Sequence, residues 1–201
     1  MKHGERKKQI LLISLELFAN SGYSETSIRE IARRADIRES AIYNHFESKS
    51  AIIRELTAKY KTSSIGLSIF TDELLDEIVY PQKFIKNFTF KLLNIWKNKE
   101  ECEFFKIIVT EQAKSAGEIP ITLHHFLDES KRIWIFIFNE MLNNELIKNI
   151  NPQILAETFI SHIYMVRVEY LLDPDPKNVL IAVAKINDFL DFFWSIIKKE
   201  N

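Results

Sequence analysis

An all-α chain, with an N-terminal three-helix domain containing a helix-turn-helix and a larger helical bundle behind it, is what three features of this sequence predict. Apolar residues recur at three- and four-residue spacing in segment after segment. Only 4 Gly and 5 Pro punctuate 201 residues, few for a sheet-rich or loop-rich protein. Between Thr26 and Lys49, two short amphipathic patterns are separated by a break at Asp36 and Ile37. With 46% hydrophobic content the chain can bury a sizeable core, and the expected division is a head over residues 1–50 and a body over residues 51–201.

The first helix is carried by Ile10, Ile13, Leu17 and Phe18. The run Ile10-Leu11-Leu12-Ile13 behind lysines imitates a signal peptide, but Glu16 and the helical spacing argue against that reading. Ser27 and Glu30 have the spacing of a capping box, so the second helix starts at Thr26 or Ser27 and presents Ile28, Ile31, Ala32 and Ala35 on one face. Its small alanines let the third helix, with Ala41, Ile42 and Phe46, approach closely. The link Ala35-Asp36-Ile37-Arg38 is too short to be a loop, and Asp tolerates the left-handed backbone that such a turn needs.

Leu17-Phe18, Gly22-Tyr23, Thr26-Ser27, Ile31-Ala32, Ile42-Tyr43, His45-Phe46 and Lys49, taken at these spacings, resemble the DNA-binding domain of TetR-family transcriptional regulators. The resemblance covers residues 7–55. It implies that the helix from about Arg38 to His45 enters the major groove while the one before it bridges the backbone. Matched position by position, Ser27, Tyr43, His45 and Lys49 are implied phosphate contacts, and Arg29, Glu39, Ser40 and Asn44 face bases or their surroundings. Two positions depart from the family: Asp36 stands where many members have Gly, and Arg38 where they have a Ser or Thr cap. Either Asp36 and Glu39 form a substitute capping box, or Arg38 leaves the helix end uncapped and turns its charge to a phosphate. A carboxylate at Glu39 is repelled by DNA unless it finds a donor such as the cytosine amino group.

Charge agrees with that resemblance. Residues 1–60 carry eleven Lys and Arg against eight Asp and Glu, a net of +3, and the remainder carries −4, together the formal −1 of the chain. The cluster Lys2-His3-Arg6-Lys7-Lys8 reads equally as an arm reaching phosphate or minor groove and as a solubilising tail. The single cysteine, Cys102, excludes an intramolecular disulfide framework and fits a reducing cytoplasm. No Gly-rich phosphate loop, Gly-x-Ser-x-Gly elbow or His-Glu-x-x-His helix is present, so an enzyme is not expected, nor a cofactor.

In the body, a helix from about Ser50 runs to about Leu67, and Pro81, Gly117 to Pro120, Asn151-Pro152 and Asp173 to Pro176 mark later boundaries. Asn151-Pro152 and Asp175-Pro176 have the order of an N-cap followed by Pro at the first helical position. Ile133 to Phe138 is too short to span a bilayer and reads as a helix buried on nearly all sides. The last helix carries two apolar stripes, Leu180, Val183, Leu190, Trp194 and Ile197 beside Val179, Ile186, Phe189, Phe193 and Ile196, which predicts one face for the core and one for a second copy of the chain.

The resemblance implies the same dimer, formed through the last two helices over residues 152–172 and 175–199, and a twofold dimer matches a palindromic double-stranded operator. It further implies a small apolar or amphipathic effector held among the body helices, for which the expected lining is Phe88, Trp96, Phe105, Glu111, Gln112, His125, Trp134, Phe138, His162, Tyr164 and Arg167. No metal site is expected, because the adjacent His124 and His125 diverge on a helix and His162 has no close partner in sequence. The function implied is a cytoplasmic repressor released by its effector. The alternative is an effector-independent architectural or division-linked DNA-binding protein of the same fold.

Overall fold

The computed structural model describes residues 3–111, 119–120 and 122–200, and among them every regular element is helical. In order these are α1 (His3–Ser21), α2 (Ile28–Arg34), α3 (Glu39–Ile42), α4 (Lys49–Ser64), α5 (Asp72–Leu75), α6 (Pro81–Trp96), α7 (Lys99–Glu111), α8 (Leu123–Asn143), α9 (Pro152–Tyr170) and α10 (Pro176–Ile197), with 3-10 turns at Leu67–Ile69 and Asp76–Val79. Packing divides the described chain into two units: residues of Met1–Lys61 and Lys99–Leu123 form one, those of Thr62–Asn98 and His124–Asn201 the other. The chain therefore changes unit inside α4, and α7 joins the head, which a single cut after residue 50 does not capture.

The first unit is centred on Leu11, Leu15, Phe18, Ile31, Ile42, Ile52, Ile53, Leu56 and, from α7, Phe104 and Phe105, all buried. Ile10 and Phe18 of α1 are buried as expected, but Ile13 and Leu17 are only half-buried and Leu11, Ser14 and Leu15 take their place. α7 packing against α1 explains the shift: it adds a partner on a second side of the helix.

In the second unit, α6, α8, α9 and α10 surround a cluster of rings. Trp134 lies 5.0 Å edge-on from Phe88, 4.1 Å from Phe159 and 5.3 Å from Phe138. The two N-cap and Pro signals hold: Asn151 Oδ1 accepts from the Gln153 amide at 2.8 Å and Asp175 Oδ1 from the Asn178 amide at 2.7 Å, with Pro152 and Pro176 opening their helices. Pro81 also opens α6, with no side-chain cap from Tyr80 before it. Of the boundary expected at Gly117 to Pro120, Gly117 and Glu118 lie outside the described residues. α8 is not buried on nearly all sides, since Phe136 is 66% exposed while Phe126, Ser130, Trp134, Ile137, Phe138 and Met141 face inward. An unbroken apolar run cannot say how much of a helix's girth has neighbours.

α4 stops at Ser64, three residues short of the expected Leu67, because the backbone turns at Gly66 with φ +83°. A Cβ there would stand 2.8 Å from Phe88 Cζ and 3.2 Å from Leu92 Cδ1. Gly66→Ala is expected to cost about 2–3 kcal/mol, from the left-handed strain and the overpacking together. A thermal melt that falls by several degrees checks this; an unchanged midpoint contradicts it.

Candidate nucleic-acid interface

The helix-turn-helix is built by two caps. At the front of α2 the Ser27 Oγ accepts from the Glu30 amide at 3.1 Å, with Ser27 extended at φ −98°, which satisfies one orphan donor of the first turn. At its end, Asp36 adopts φ +54°, its amide donates to Arg33 O at 3.3 Å, and the Ile37 amide donates to Ala32 O at 3.0 Å. These two bonds around a left-handed residue are a Schellman turn. It swings the chain sharply, so Arg38 arrives extended (φ −72°, ψ 148°) and α3 starts at Glu39 with no side-chain cap. Of the two alternatives left open by the sequence, the uncapped Arg38 is the one found.

The turn leaves an outward face. Arg38, Glu39, Ser40, Tyr43 and Asn44 are exposed, Tyr43 by 53%, while Ile42 and Phe46 point into the core. Ser27 and Arg29 of α2 are exposed, and His45 is half-buried. A phenol more than half exposed in the middle of an otherwise core-forming segment has no packing role there.

Lys49 behaves differently from the other expected phosphate contacts. Its Nζ donates to the carbonyls of Tyr23 at 2.8 Å, Thr26 at 3.1 Å and Ser24 at 3.4 Å, and lies 4.3 Å from the centre of the Tyr23 ring. The ammonium has three protons, and these three carbonyls engage them. Lys49 thus clamps the loop between α1 and α2 onto the start of α4. The basic N-terminal cluster is also not a free arm from His3 onward, because α1 begins there. Arg6 Nη1 donates to Gln9 Oε1 at 2.9 Å and to Ala35 O at 3.4 Å, and Lys7 pairs with Glu55 at 2.7 Å. Lys2 lies outside the described residues. Sequence alone could not show either role, since both depend on partners more than 20 residues away.

The side chains expected around an effector are divided between the two units. Phe88, Trp134 and Phe138 belong to the ring cluster of the second unit, and Trp96, Tyr164 and Arg167 gather nearby around the carbonyl of Ser64. Phe105 and Glu111 are buried in the first unit instead, with Glu111 Oε1 3.0 Å from where a Cβ on Gly22 would stand. His125 is exposed on α8, and Gln112 lies outside the described residues. His162 lines a surface groove of about 780 Å³ between α9 and α10, with Thr158, Met165, Lys185, Asp188 and Phe192. Its ring stacks on Phe189 at 3.9 Å and 10°. Burial, and then the charge of Lys185, hold its pKa below the usual histidine range.

Residues 10–56, which contain both caps and the outward face, match the family model of bacterial regulatory proteins, tetR family. Over these residues the chain is similar to the TetR family. Among curated relatives, the uncharacterized HTH-type transcriptional regulator YerO of Bacillus subtilis is 38% identical over 65 residues, which are 32% of this chain and 21% of that protein. The HTH-type transcriptional repressor KstR2 of Mycolicibacterium smegmatis is 23% identical over 139 residues, 67% of this chain and 64% of that one. These matches span less than two thirds of the relatives' own length. Among solved structures, NalD of Pseudomonas aeruginosa, the secondary repressor of the MexAB-OprM multidrug efflux pump, has a TM-score of 0.66 at 19% identity and covers 98% of this chain and 99% of its own. That likeness shows a shared fold over 98% of the chain, well beyond the 47 residues matched by the family model.

Proposed function

We propose that this chain is a sequence-specific DNA-binding transcriptional regulator, a repressor that acts as a homodimer on a palindromic operator and is released by a small apolar or amphipathic molecule. The observation that carries the reading is the outward row Arg38, Glu39, Ser40, Tyr43 and Asn44, held off the core by the turn at Asp36. In this reading residues 1–50 contact DNA, and residues 51–201 hold effector and partner. The repressor sign follows the names of KstR2 and NalD. The dimer is supported by apolar side chains left exposed on α9 and α10: Ile154, Met165, Leu180, Phe192 and Ile196. No helix among the described residues is long and apolar enough to cross a membrane, which suits a protein that meets DNA in the cytoplasm.

Tyr43→Phe is expected to weaken binding to all half-sites alike, several-fold, whereas Glu39→Ala or Ser40→Ala changes which half-site is preferred. Selection of bound DNA from a random pool supplies the operator, and affinities for a panel of half-site variants at fixed salt check the roles. A changed base preference in Tyr43→Phe contradicts the assignment.

The effector-independent alternative is favoured by one observation. Rings expected to hold a ligand pack on one another at 5.0–5.3 Å, and the hollow beside α6 and α10, next to Leu93 and Val183, is only about 80 Å³. That is well below a usual ligand pocket. Screening fatty acids, acyl thioesters, aromatic cations and drug-like amphiphiles for displacement of the selected operator separates the two. A ligand that binds the second unit tightly without changing operator affinity rejects effector release and leaves DNA binding standing.

A further inference from the structure

We infer, resting on the homodimer proposed above, that His162 makes the face formed by α9 and α10 sensitive to protons: two copies of the chain associate while its ring is neutral and separate when the ring is charged. A groove, a stacked ring and an unpartnered nitrogen come together at this residue.

The groove of about 780 Å³ lies wholly within the second unit. His162 enters it from α9, and its ring stacks on Phe189 of α10 at 3.9 Å and 10°. Phe189 is itself held in the ring cluster by Phe159 at 6.1 Å and Phe193 at 5.5 Å, so one face of the imidazole is fixed against the core. The Nε2 atom is buried and has no hydrogen-bond partner among the described residues. A neutral imidazole can leave one nitrogen as a bare acceptor, whereas the protonated ring is an N–H donor at both. Protonation here would therefore place a charged donor in an apolar crevice where nothing accepts from Nε2.

The surrounding charges do not offset that cost. Those lining the groove are Glu169 from α9 and Lys185 and Asp188 from α10. The Glu169 carboxylate accepts from the Tyr170 hydroxyl at 2.7 Å, and Lys185 and Asp188 are exposed. The charge that acts on the ring is that of Lys185, which repels an imidazolium and adds to the larger effect of burial.

A second copy of the chain is the occupant that fits this face. Met165 and Phe192 line the groove and are 64% and 61% exposed. Lys185 and Asp188 stand three residues apart on α10, so a twofold-related copy is complementary in charge around an apolar centre. Covering the groove removes the water that still reaches the half-buried His162, which makes its protonation costlier in the dimer than in the free copy. The dimer then binds fewer protons than two free copies, and acid favours the free copies. Association is unaffected above the usual histidine range, weakens as pH falls through the titration of the free copy, and levels off only where the covered ring itself titrates. A twofold dimer contains the residue twice, so each pH unit inside that window raises the dissociation constant by up to about 100-fold.

Sedimentation equilibrium of the full chain between about pH 7.5 and about pH 5, with circular dichroism at each pH to follow the fold, tests this. The wild-type dissociation constant is expected to rise about tenfold or more across that range. His162→Phe, which keeps the stack on Phe189 without a titrating nitrogen, and His162→Gln are expected to change by about threefold or less. His124→Gln, which removes an exposed histidine paired with Asp128, is expected to respond as the wild type does. A wild-type dimer indifferent to pH, or His162 variants that dissociate in acid as readily as the wild type, overturns the proton sensitivity and leaves the homodimer standing. A wild type that is monomeric at neutral pH and micromolar concentration overturns both. Should the variants lose their helical signal, the titration of the His162 ring followed by nuclear magnetic resonance above and below the dissociation constant decides. A lower titration point in the dimer supports the proton sensitivity, and an equal one overturns it.

Discussion

Phe192→Glu is expected to split the proposed dimer and leave each copy folded, whereas Phe193→Glu is expected to unfold the chain. The two residues are neighbours in sequence with opposite surroundings. Phe193 is 2% exposed and sits among Phe138, Phe159 and Phe189 at 5.5–5.8 Å. Removing its ring alone costs about 3–5 kcal/mol, and an unpaired buried carboxylate adds more, against a total stability of about 5–15 kcal/mol. Phe192 is 61% exposed and lines the groove with Met165, so a carboxylate there is solvated in the monomer and desolvated only in a dimer. Loss of a central aromatic contact of about 2–3 kcal/mol raises the dimer dissociation constant about 30- to 150-fold. Sedimentation equilibrium with circular dichroism on both variants decides it. A wild type that sediments as a monomer at micromolar concentration removes the dimer, and a folded Phe193→Glu monomer beside a dimeric Phe192→Glu reverses the two faces.

That contrast also shows what periodicity can and cannot reveal. The sequence carries enough apolar residues on α10 to predict two covered faces; one is buried within the chain, and the expected second remains a proposal. Yet the inner face, Ala182, Ile186, Phe189, Leu190, Phe193 and Ile197, takes members from both predicted stripes, while Leu180 and Ile196 remain exposed and Phe192 belongs to neither stripe. On a helix apolar around most of its girth, the pattern has no polar side against which to orient itself. Only the neighbours orient it, and those are distant in sequence.

The helix-turn-helix was far more legible, because its signals are local. Ser27 and Glu30, the alanines of α2, and Asp36 at the left-handed turn all act within a few residues of themselves. The cap at Arg38 is ambiguous in the sequence because two local solutions compete, and the Schellman turn decides by placing Asp36 two residues too early to cap α3. Glu111 and Phe105 illustrate the opposite case. Their helical pattern says correctly that they are buried, but it does not say in which unit, and the packing of α7 on α1 puts them in the head.

Lys49→Met is expected to weaken binding to every half-site about tenfold while leaving the dependence of affinity on salt unchanged, because the loss acts through the shape of the head. The methionine keeps an apolar stem over Tyr23 but releases three carbonyls of residues 23, 24 and 26. Hydrogen bonds from a charged donor contribute about 1.5–3 kcal/mol, and partial access of water to this loop brings the expected cost to the lower part of that range. The loop leads directly to Ser27, so its movement disturbs the cap of α2 and any backbone contact made there. A direct phosphate contact predicts something else: the slope of log affinity against log salt falls by about one counterion while thermal stability holds. Arg38→Ala serves as the comparison, since Arg38 is exposed at the start of α3 and is expected to reduce the slope in that way. Titrations at several salt concentrations, paired with melting curves, distinguish the two. A reduced slope with an unchanged midpoint in Lys49→Met would show that the ammonium leaves its carbonyls for the DNA, as the family resemblance implies. A lowered midpoint with an unchanged slope makes Lys49 the clamp that its three hydrogen bonds describe.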